Sequence, residues 1–235
     1  MVKAVIFDID NTLYSYDDAH AVAWEALCAY AKEQLFMDAE EFLHRHNAAQ
    51  TIVKQRLGTP CAALHNRQLR YQVLLEEAGK PLRHAMAMNA LYWRTLIAAA
   101  RPTPGILECL RDLKGASYIL GIGTDMTLDY QLQKLAALDM LELFDFLVSS
   151  EEVNAEKPDS KLFACCAHKA GIAPEECLFV GDSLKKDVLG PQEAGMQAVW
   201  YCPEGKSPPP GIQSITHFGQ LQQLLMAGKG QSHEA

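Results

Sequence analysis

The chain has 235 residues, of which 49% are hydrophobic and 21% are charged, and its formal net charge is −8. This composition is typical of a globular protein with a sizeable core, and it excludes a disordered or fibrous one. The negative charge, the lack of a basic run and the lack of any segment near the ~18 apolar residues of a membrane span argue against nucleic-acid and membrane partners, so we expect a cytoplasmic protein.

The first predicted element is a buried strand from Lys3 to Ile9, an apolar run rich in β-branched and aromatic residues. Such a run fits a central strand that is covered on both faces better than a strand with one solvent face. Two carboxylates, Asp8 and Asp10, stand where this run ends.

A helical region is predicted from about residue 17 to residue 100, because its apolar residues recur at helical spacing. Four helices are expected. Asp17 or Asp18 can cap the first, Asp38 the second and Thr59 the third.

Two groups of side chains in this region are expected to be structural. His44 and His46 lie two residues apart on one predicted helix, so they do not share a face, and we expect both at the surface rather than on a metal. The aromatic side chains are expected to pack between the helices, and the alternative for each is a place on a binding face of this region; they are Trp24, Tyr30, Tyr92 and Trp93.

A domain boundary is predicted at residues 101–105, where prolines flank Thr103. Proline disfavours a helical conformation in the preceding residue, and Thr103 is a good N-cap for the helix that follows. We therefore predict a discontinuous core of residues 1–15 and 101–235, and a helical domain of residues 16–100.

Beyond this boundary, predicted strands alternate with predicted helices. The strands cover residues 118–123, 146–149, 177–181 and 197–201, and the helices cover residues 105–114, 128–139, 160–170 and 187–194. This alternation predicts an α/β fold with a doubly wound parallel sheet, to which the first strand also belongs.

Polar residues follow the predicted strands, and the carboxyl ends of parallel strands meet at one edge of a sheet. The residues are Asp8, Asp10, Thr124, Lys157, Asp182 and Asp187. Neighbouring carboxylates repel one another unless a cation lies among them, and Mg²⁺ prefers oxygen ligands while keeping positions open for a phosphate. The sequence therefore predicts a Mg²⁺ site, with Thr124 and Lys157 suited to the other phosphate oxygens.

Four motifs in order resemble those of the haloacid dehalogenase-like hydrolase superfamily. They are FDIDNTL at 7–13, Thr124, Lys157-Pro158 and GDSLKKD at 181–187. The resemblance spans residue 4 to about residue 201, and the helical region falls where that superfamily inserts a helical cap between its first and second motifs. The resemblance implies a Rossmann-like core with an inserted four-helix cap.

The resemblance also implies roles. Asp8 matches the nucleophile, which forms an aspartyl-phosphate, and Asp10 matches the acid/base that serves the leaving group and the hydrolytic water. Mg²⁺ would be held by Asp8, the backbone carbonyl of Asp10, and Asp182. Thr124 would bind a phosphoryl oxygen, and Lys157 would neutralise charge on the nucleophile and the phosphoryl group.

Four further residues follow or lie within these motifs. Asp125 departs from the Asn or Gly that is common in related phosphatases, so we expect only its backbone amide to contribute to phosphate binding. Asp187 would hold a metal-bound water or Lys157, and the alternative for it is a helix cap or a surface charge. Lys185 and Lys186 are expected on a solvated helix face.

The aspartate at position 10 indicates phosphoryl transfer, because dehalogenases of the superfamily lack an acid there. We expect a Mg²⁺-dependent phosphomonoesterase that acts on a small phosphorylated metabolite. The layout resembles the nucleotidase and N-acylneuraminate-9-phosphatase branch, whose substrates are nucleoside monophosphates or sugar phosphates. The alternatives are a sugar phosphomutase with the same nucleophile and a non-catalytic module that binds phosphorylated metabolites.

Overall fold

The computed structural model describes residues 1–58 and 60–230, with side chains as far as residue 226. The chain divides into two compact units. The sheet unit consists of Met1–Ser15 and the chain from Arg101 onward, and the helical unit consists of Tyr16–Ala100. No helix in the described part of the chain combines the length and the apolar character that a membrane crossing requires.

The sheet unit is built on six described strands, all parallel to their neighbours. They are β1 Ala4–Phe7, β2 Ile119–Thr124, β3 Phe146–Ser149, β4 Cys177–Gly181, β5 Gln197–Tyr201 and β6 Gln213–Ile215. The order is β3-β2-β1-β4-β5-β6. The first five strands lie where the sequence predicts them, which confirms the doubly wound α/β class. The sixth, QSI, has no apolar run to predict it.

Six α-helices of this unit lie within the described residues: α5 Ile106–Gly115, α6 Leu128–Ala137, α7 Ser150–Val153, α8 Ser160–Ala170, α9 Gly190–Glu193 and α10 Gly219–Gly230. Helix α8 packs on β2 and β3, and its Phe163 and Cys166 belong to the buried core beside Phe179 of β4. The four residues of β1 are fully buried, as expected for a central strand.

The strand order reverses beside β1. The chain runs outward from β1 through β2 to β3, and then returns to β4 on the other side of β1. In open parallel sheets, ligands bind outside the carboxyl ends of the strands at such a reversal. The fold therefore places the candidate site at the ends of β1, β2 and β4.

The predicted cap at Thr103 is wrong. Helix α5 begins at Ile106 after Gly105, which has φ of 79° and provides no side-chain cap. The Thr103 hydroxyl instead donates to the carbonyl of Thr12, 2.9 Å away, in the loop that follows β1. The Thr103 hydroxyl thus makes a tertiary hydrogen bond instead of capping the helix that follows it.

The helical unit contains four long helices in the part of the chain that is described. They are α1 Tyr16–Tyr30, α2 Ala39–Leu57, α3 Arg67–Glu77 and α4 Arg83–Ala99. Helix α1 packs against α4, and α3 packs against both α2 and α4. Tyr92 and Trp93 are buried among these helices, as expected of core aromatic residues, whereas Trp24 and Tyr30 are only half-buried.

Helix starts in this unit follow the predictions in part. Asp38 caps α2, because its Oδ1 accepts from the Glu41 amide at 2.9 Å. Helix α1 begins one residue before Asp17, so this carboxylate lies in the first turn. Helix α3 begins at Arg67 with Asn66 as its N-cap, and the cap expected at Thr59 lies outside the described residues.

The expectation for the paired histidines is half right. His44 is exposed, but His46 is only 6% exposed. The two positions face opposite sides of α2, so packing of α2 against its neighbours covers one and leaves the other in solvent.

Candidate active site

The ends of three adjacent strands bring the predicted residues together. Asp8 directly follows β1, Thr124 is the last residue of β2, and Asp182 directly follows β4. Because β1 lies between β2 and β4, these residues meet at one edge of the sheet. Asp8 is 7% exposed, and its amide donates to the carbonyl of Val180 at 3.0 Å.

The ammonium group of Lys157 lies between two carboxylates at this edge. Its Nζ is 2.6 Å from Asp8 Oδ1 and 2.7 Å from Asp187 Oδ1, and it also donates to the carbonyl of Gly123 at 3.3 Å. Burial opposes the charge, but Asp187 and Asp8 outweigh burial and raise the pKa of Lys157 above its ordinary value. Lys157 is therefore a buried cation held against Asp8.

Asp187 lies on the short π-helix Leu184–Leu189 that follows β4. Its Oδ2 accepts from the Ser183 amide at 2.9 Å. A Cβ on Gly181 would lie 2.5 Å from the Asp187 carboxyl carbon, so only glycine leaves room for this carboxylate. Asp187 is 1% exposed, which excludes the surface-charge alternative, and its carboxylate accepts from both Lys157 and the Ser183 amide.

Three carboxylates form a cluster with the geometry of a cation site. One oxygen each of Asp8, Asp182 and Asp187 lies within 4.8 Å of the others. Burial raises the pKa of Asp8 well above its usual value; Lys157 opposes this, and Asp187 adds to it. Burial and Asp187 raise the pKa of Asp182 to about 6. The carboxylates are thus close enough to resist ionising together.

The charges of the site leave room for a divalent cation. Four carboxylates face two ammonium groups, so full ionisation leaves two negative charges; the groups are Asp8, Asp10, Asp182, Asp187, Lys134 and Lys157. Oxygen donors with a net charge of minus two are what a hard divalent cation binds. The residues present therefore fit such an ion.

Asp10 has a different environment from Asp8. Its Oδ1 accepts from Lys134 Nζ at 2.6 Å and from the Tyr14 hydroxyl, and its Oδ2 accepts from Gln131 Nε2 at 3.3 Å. Burial disfavours the carboxylate, but Lys134 outweighs it together with these hydrogen bonds, so the pKa of Asp10 is lowered. The pKa values of Asp8 and Asp10 are thus shifted in opposite directions.

Sequence reasoning missed Gln131 and Lys134. Both are fully buried on α6, and they lie three residues apart, so they share a face. Gln131 Nε2 also donates to Thr124 Oγ1 at 2.7 Å. One signal in the sequence could have revealed them. The helix that follows Thr124 carries two long polar side chains on the face that would pack against the sheet and would normally be apolar.

Asp125 binds protein groups with both carboxylate oxygens. Oδ1 accepts from the Lys157 amide at 2.8 Å, and Oδ2 accepts from Lys186 Nζ at 2.7 Å. The prediction of a solvated Lys186 is therefore half right, because its side chain is 40% exposed but its Nζ pairs with Asp125; Lys185 is exposed as expected. The Thr124 hydroxyl, which is 1% exposed, donates to the Asp125 carbonyl at 3.2 Å.

Comparisons with known proteins identify the family. The model of the haloacid dehalogenase-like hydrolases matches residues 2–195, which confirms the resemblance in the four motifs. The chain is 25% identical to a crystal structure of a 2-haloacid dehalogenase from Pseudomonas syringae, with a TM-score of 0.76 over 97% of this chain and 99% of that chain.

Among curated proteins, similar relatives are phosphatases and a nucleotidase. A ribulose-1,5-bisphosphate 5-phosphatase from Halopiger xanaduensis is 31% identical over 88% of this chain and 87% of its own. A glyceraldehyde 3-phosphate phosphatase from Methanopyrus kandleri is 35% identical over 85% and 83%. The pyrimidine 5′-nucleotidase YjjG from Escherichia coli is 26% identical over 94% and 96%.

Proposed function

Because the chain belongs to the haloacid dehalogenase-like hydrolases, we propose that it is a Mg²⁺-dependent phosphatase that hydrolyses small phosphate monoesters through an aspartyl-phosphate on Asp8. The observation that carries the proposal is the buried Asp8 carboxylate, held 2.6 Å from the Lys157 ammonium at the sheet edge where Asp182 also lies. The phosphatase activity named for two relatives supports the reaction class.

In the first step, an Asp8 oxygen attacks phosphorus and the ester P–O bond breaks, while Asp10 protonates the departing alkoxide. In the second step, water attacks phosphorus, Asp10 takes a proton from it, and inorganic phosphate leaves Asp8. The lowered pKa of Asp10 suits the second role. Lys157 and the Thr124 hydroxyl would bind phosphoryl oxygens and offset the charge that develops on them.

Asp8, Asp182 and the backbone carbonyl of Asp10 would hold Mg²⁺. When bound, Mg²⁺ supplies positive charge that offsets repulsion between the carboxylates and the phosphoryl group. Both oxygens of Asp187 accept from protein donors, Lys157 and the Ser183 amide, so we assign to Asp187 the positioning of Lys157 and of the start of the π-helix Leu184–Leu189.

The residue at position 10 favours phosphoryl transfer over dehalogenation. Three side chains, Lys134, Gln131 and Tyr14, donate hydrogen bonds to Asp10. Together they fix the position of the proposed acid/base group. The likeness to a dehalogenase structure describes the fold, and the chemistry depends on the site.

Sugar phosphates are the substrate class that the relatives favour. The two curated relatives at 31% and 35% identity are named for ribulose-1,5-bisphosphate and glyceraldehyde 3-phosphate. The nucleotidase is less similar at 26% identity. We therefore place sugar phosphates ahead of nucleoside monophosphates as substrates.

The test is phosphate release from p-nitrophenyl phosphate and from a panel of sugar phosphates and nucleotides. We expect EDTA to abolish release and Mg²⁺ to restore it. Asp8→Asn keeps the shape of the side chain and should lower kcat by about four orders of magnitude or more, with an unchanged circular dichroism spectrum. Full activity in this variant would refute the nucleophile assignment, and turnover that needs an added bisphosphate would identify a phosphomutase.

A further inference from the structure

The helical unit has a cavity of its own. It has a volume of about 480 Å³ and is lined only by residues of this unit, including Trp24 of α1, His46 of α2, and Arg67 and Arg70 of α3. This volume is within the range of small-molecule sites. Two arginines and three histidines are among the ten lining residues, and no carboxylate is.

The two arginines have only neutral partners among the described residues. Arg67 is 9% exposed; it donates to the Tyr16 hydroxyl, and its guanidinium lies 3.8 Å from the centre of the Tyr92 ring. Arg70 is 8% exposed and donates to the carbonyl of Leu64 at 3.1 Å. Buried charges in proteins are normally paired with an opposite charge, so these two lack the usual counter-charge.

The cavity also has polar atoms without a partner. Within the described residues, Arg70 Nε and His46 Nε2 are buried and have no hydrogen-bond partner, although most buried polar groups have one. Burial, and then Arg70 and Arg67, lower the pKa of His46 to about 3, so its ring is neutral. A neutral ring can present an N–H at Nε2, as Arg70 does at Nε.

We propose that this cavity binds a compact oxyanion, a phosphate or carboxylate group, through Arg67, Arg70 and His46. An oxyanion supplies the missing negative charge and several acceptor oxygens at once, and guanidinium groups match its geometry. The occupant is a free anion such as inorganic phosphate, which the proposed function would itself release.

Binding is tested on the full chain in EDTA, by titrating inorganic phosphate and following tryptophan fluorescence, since Trp24 lines the cavity. Any binding at the sheet edge is common to all variants, so differences report the cavity. We expect Arg70→Met and His46→Phe each to weaken the cavity signal at least tenfold. Arg45→Met removes an arginine from α2 outside the cavity and should bind as the wild type does. Wild-type binding in both cavity variants would overturn the proposal.

Failure of this proposal is distinguishable from failure of the proposed function. A chain that releases no phosphate from p-nitrophenyl phosphate or from any member of the substrate panel would refute the phosphatase function, while the fluorescence titration would still decide whether the cavity binds an oxyanion.

Discussion

The sheet unit and the helical unit each bury cationic side chains, but in opposite surroundings. Lys157 lies against Asp8 and Asp187, with Asp182 close by, so negative charge is in excess there. Arg67 and Arg70 have only hydroxyl, carbonyl and aromatic partners among the described residues, so positive charge is in excess. This imbalance, which folding alone would not favour, is what supports our two proposals: a cation bound at the sheet edge and an anion bound in the helical unit.

The sharpest way to break this comparison is to remove the cation that is paired. Lys157→Met would leave Asp8 and Asp187 buried without their counter-charge, and we expect a loss of about 3–5 kcal/mol in the free energy of unfolding. Urea denaturation in EDTA measures it. Lys185→Met, at an exposed lysine, is the matched control and should change stability by less than about 0.5 kcal/mol. Equal stability of the two variants would contradict the pairing.

A second variant tests the donors around Asp10. Lys134→Met removes the ammonium 2.6 Å from Asp10 Oδ1. It leaves Lys157 and the carboxylate cluster of Asp8, Asp182 and Asp187 unchanged. We expect kcat to fall by about 10- to 100-fold with little change in KM, because Asp10 loses orientation rather than contact with the substrate. Phosphate release measures both constants. A larger change in KM than in kcat would instead place Lys134 in substrate binding.

A third variant tests whether the missing side chain of Gly181 is what leaves room for the Asp187 carboxylate. In Gly181→Ala the new methyl group would lie 2.5 Å from the Asp187 carboxyl carbon, so Asp187 must move and Lys157 with it. We expect a loss of about 1–3 kcal/mol in the free energy of unfolding and a lower kcat. Gly115→Ala is the control, since a Cβ there meets nothing within 4 Å, and it should leave both quantities nearly unchanged.

The predictability of these regions from sequence follows from the range of the interactions. Strands β1 to β5 are apolar runs, and parallel order alone brings Asp8, Thr124 and Asp182 to one edge, so the fold and these residues were predictable. The Lys186 contact with Asp125 joins residues 61 apart, and the burial of Gln131 depends on how α6 docks. Nothing local to either residue encodes such contacts.

The helical unit was harder for the same reason. Helical spacing predicts four helices, but it does not say which face of α2 packs inward, and that face decides whether His44 or His46 is buried. Arg67 and Arg70 are three residues apart on α3, a spacing equally typical of a solvated helix face. Their burial without a carboxylate became visible only in the packed structure.

The smallest expected effect tests the other half of the comparison. Arg70→Met removes a buried cation whose carboxylate partner is missing among the described residues and replaces it with an apolar side chain of similar length. The cost of burying the charge disappears together with the charge. We therefore expect the free energy of unfolding to fall by no more than about 1 kcal/mol, or to rise. Added phosphate should raise the melting temperature of the wild type more than that of this variant. Any rise that remains in the variant would come from phosphate bound at the sheet edge. A loss as large as that expected for Lys157→Met would show that Arg70 stabilises the fold, and the cavity would then need no ligand to explain its charge.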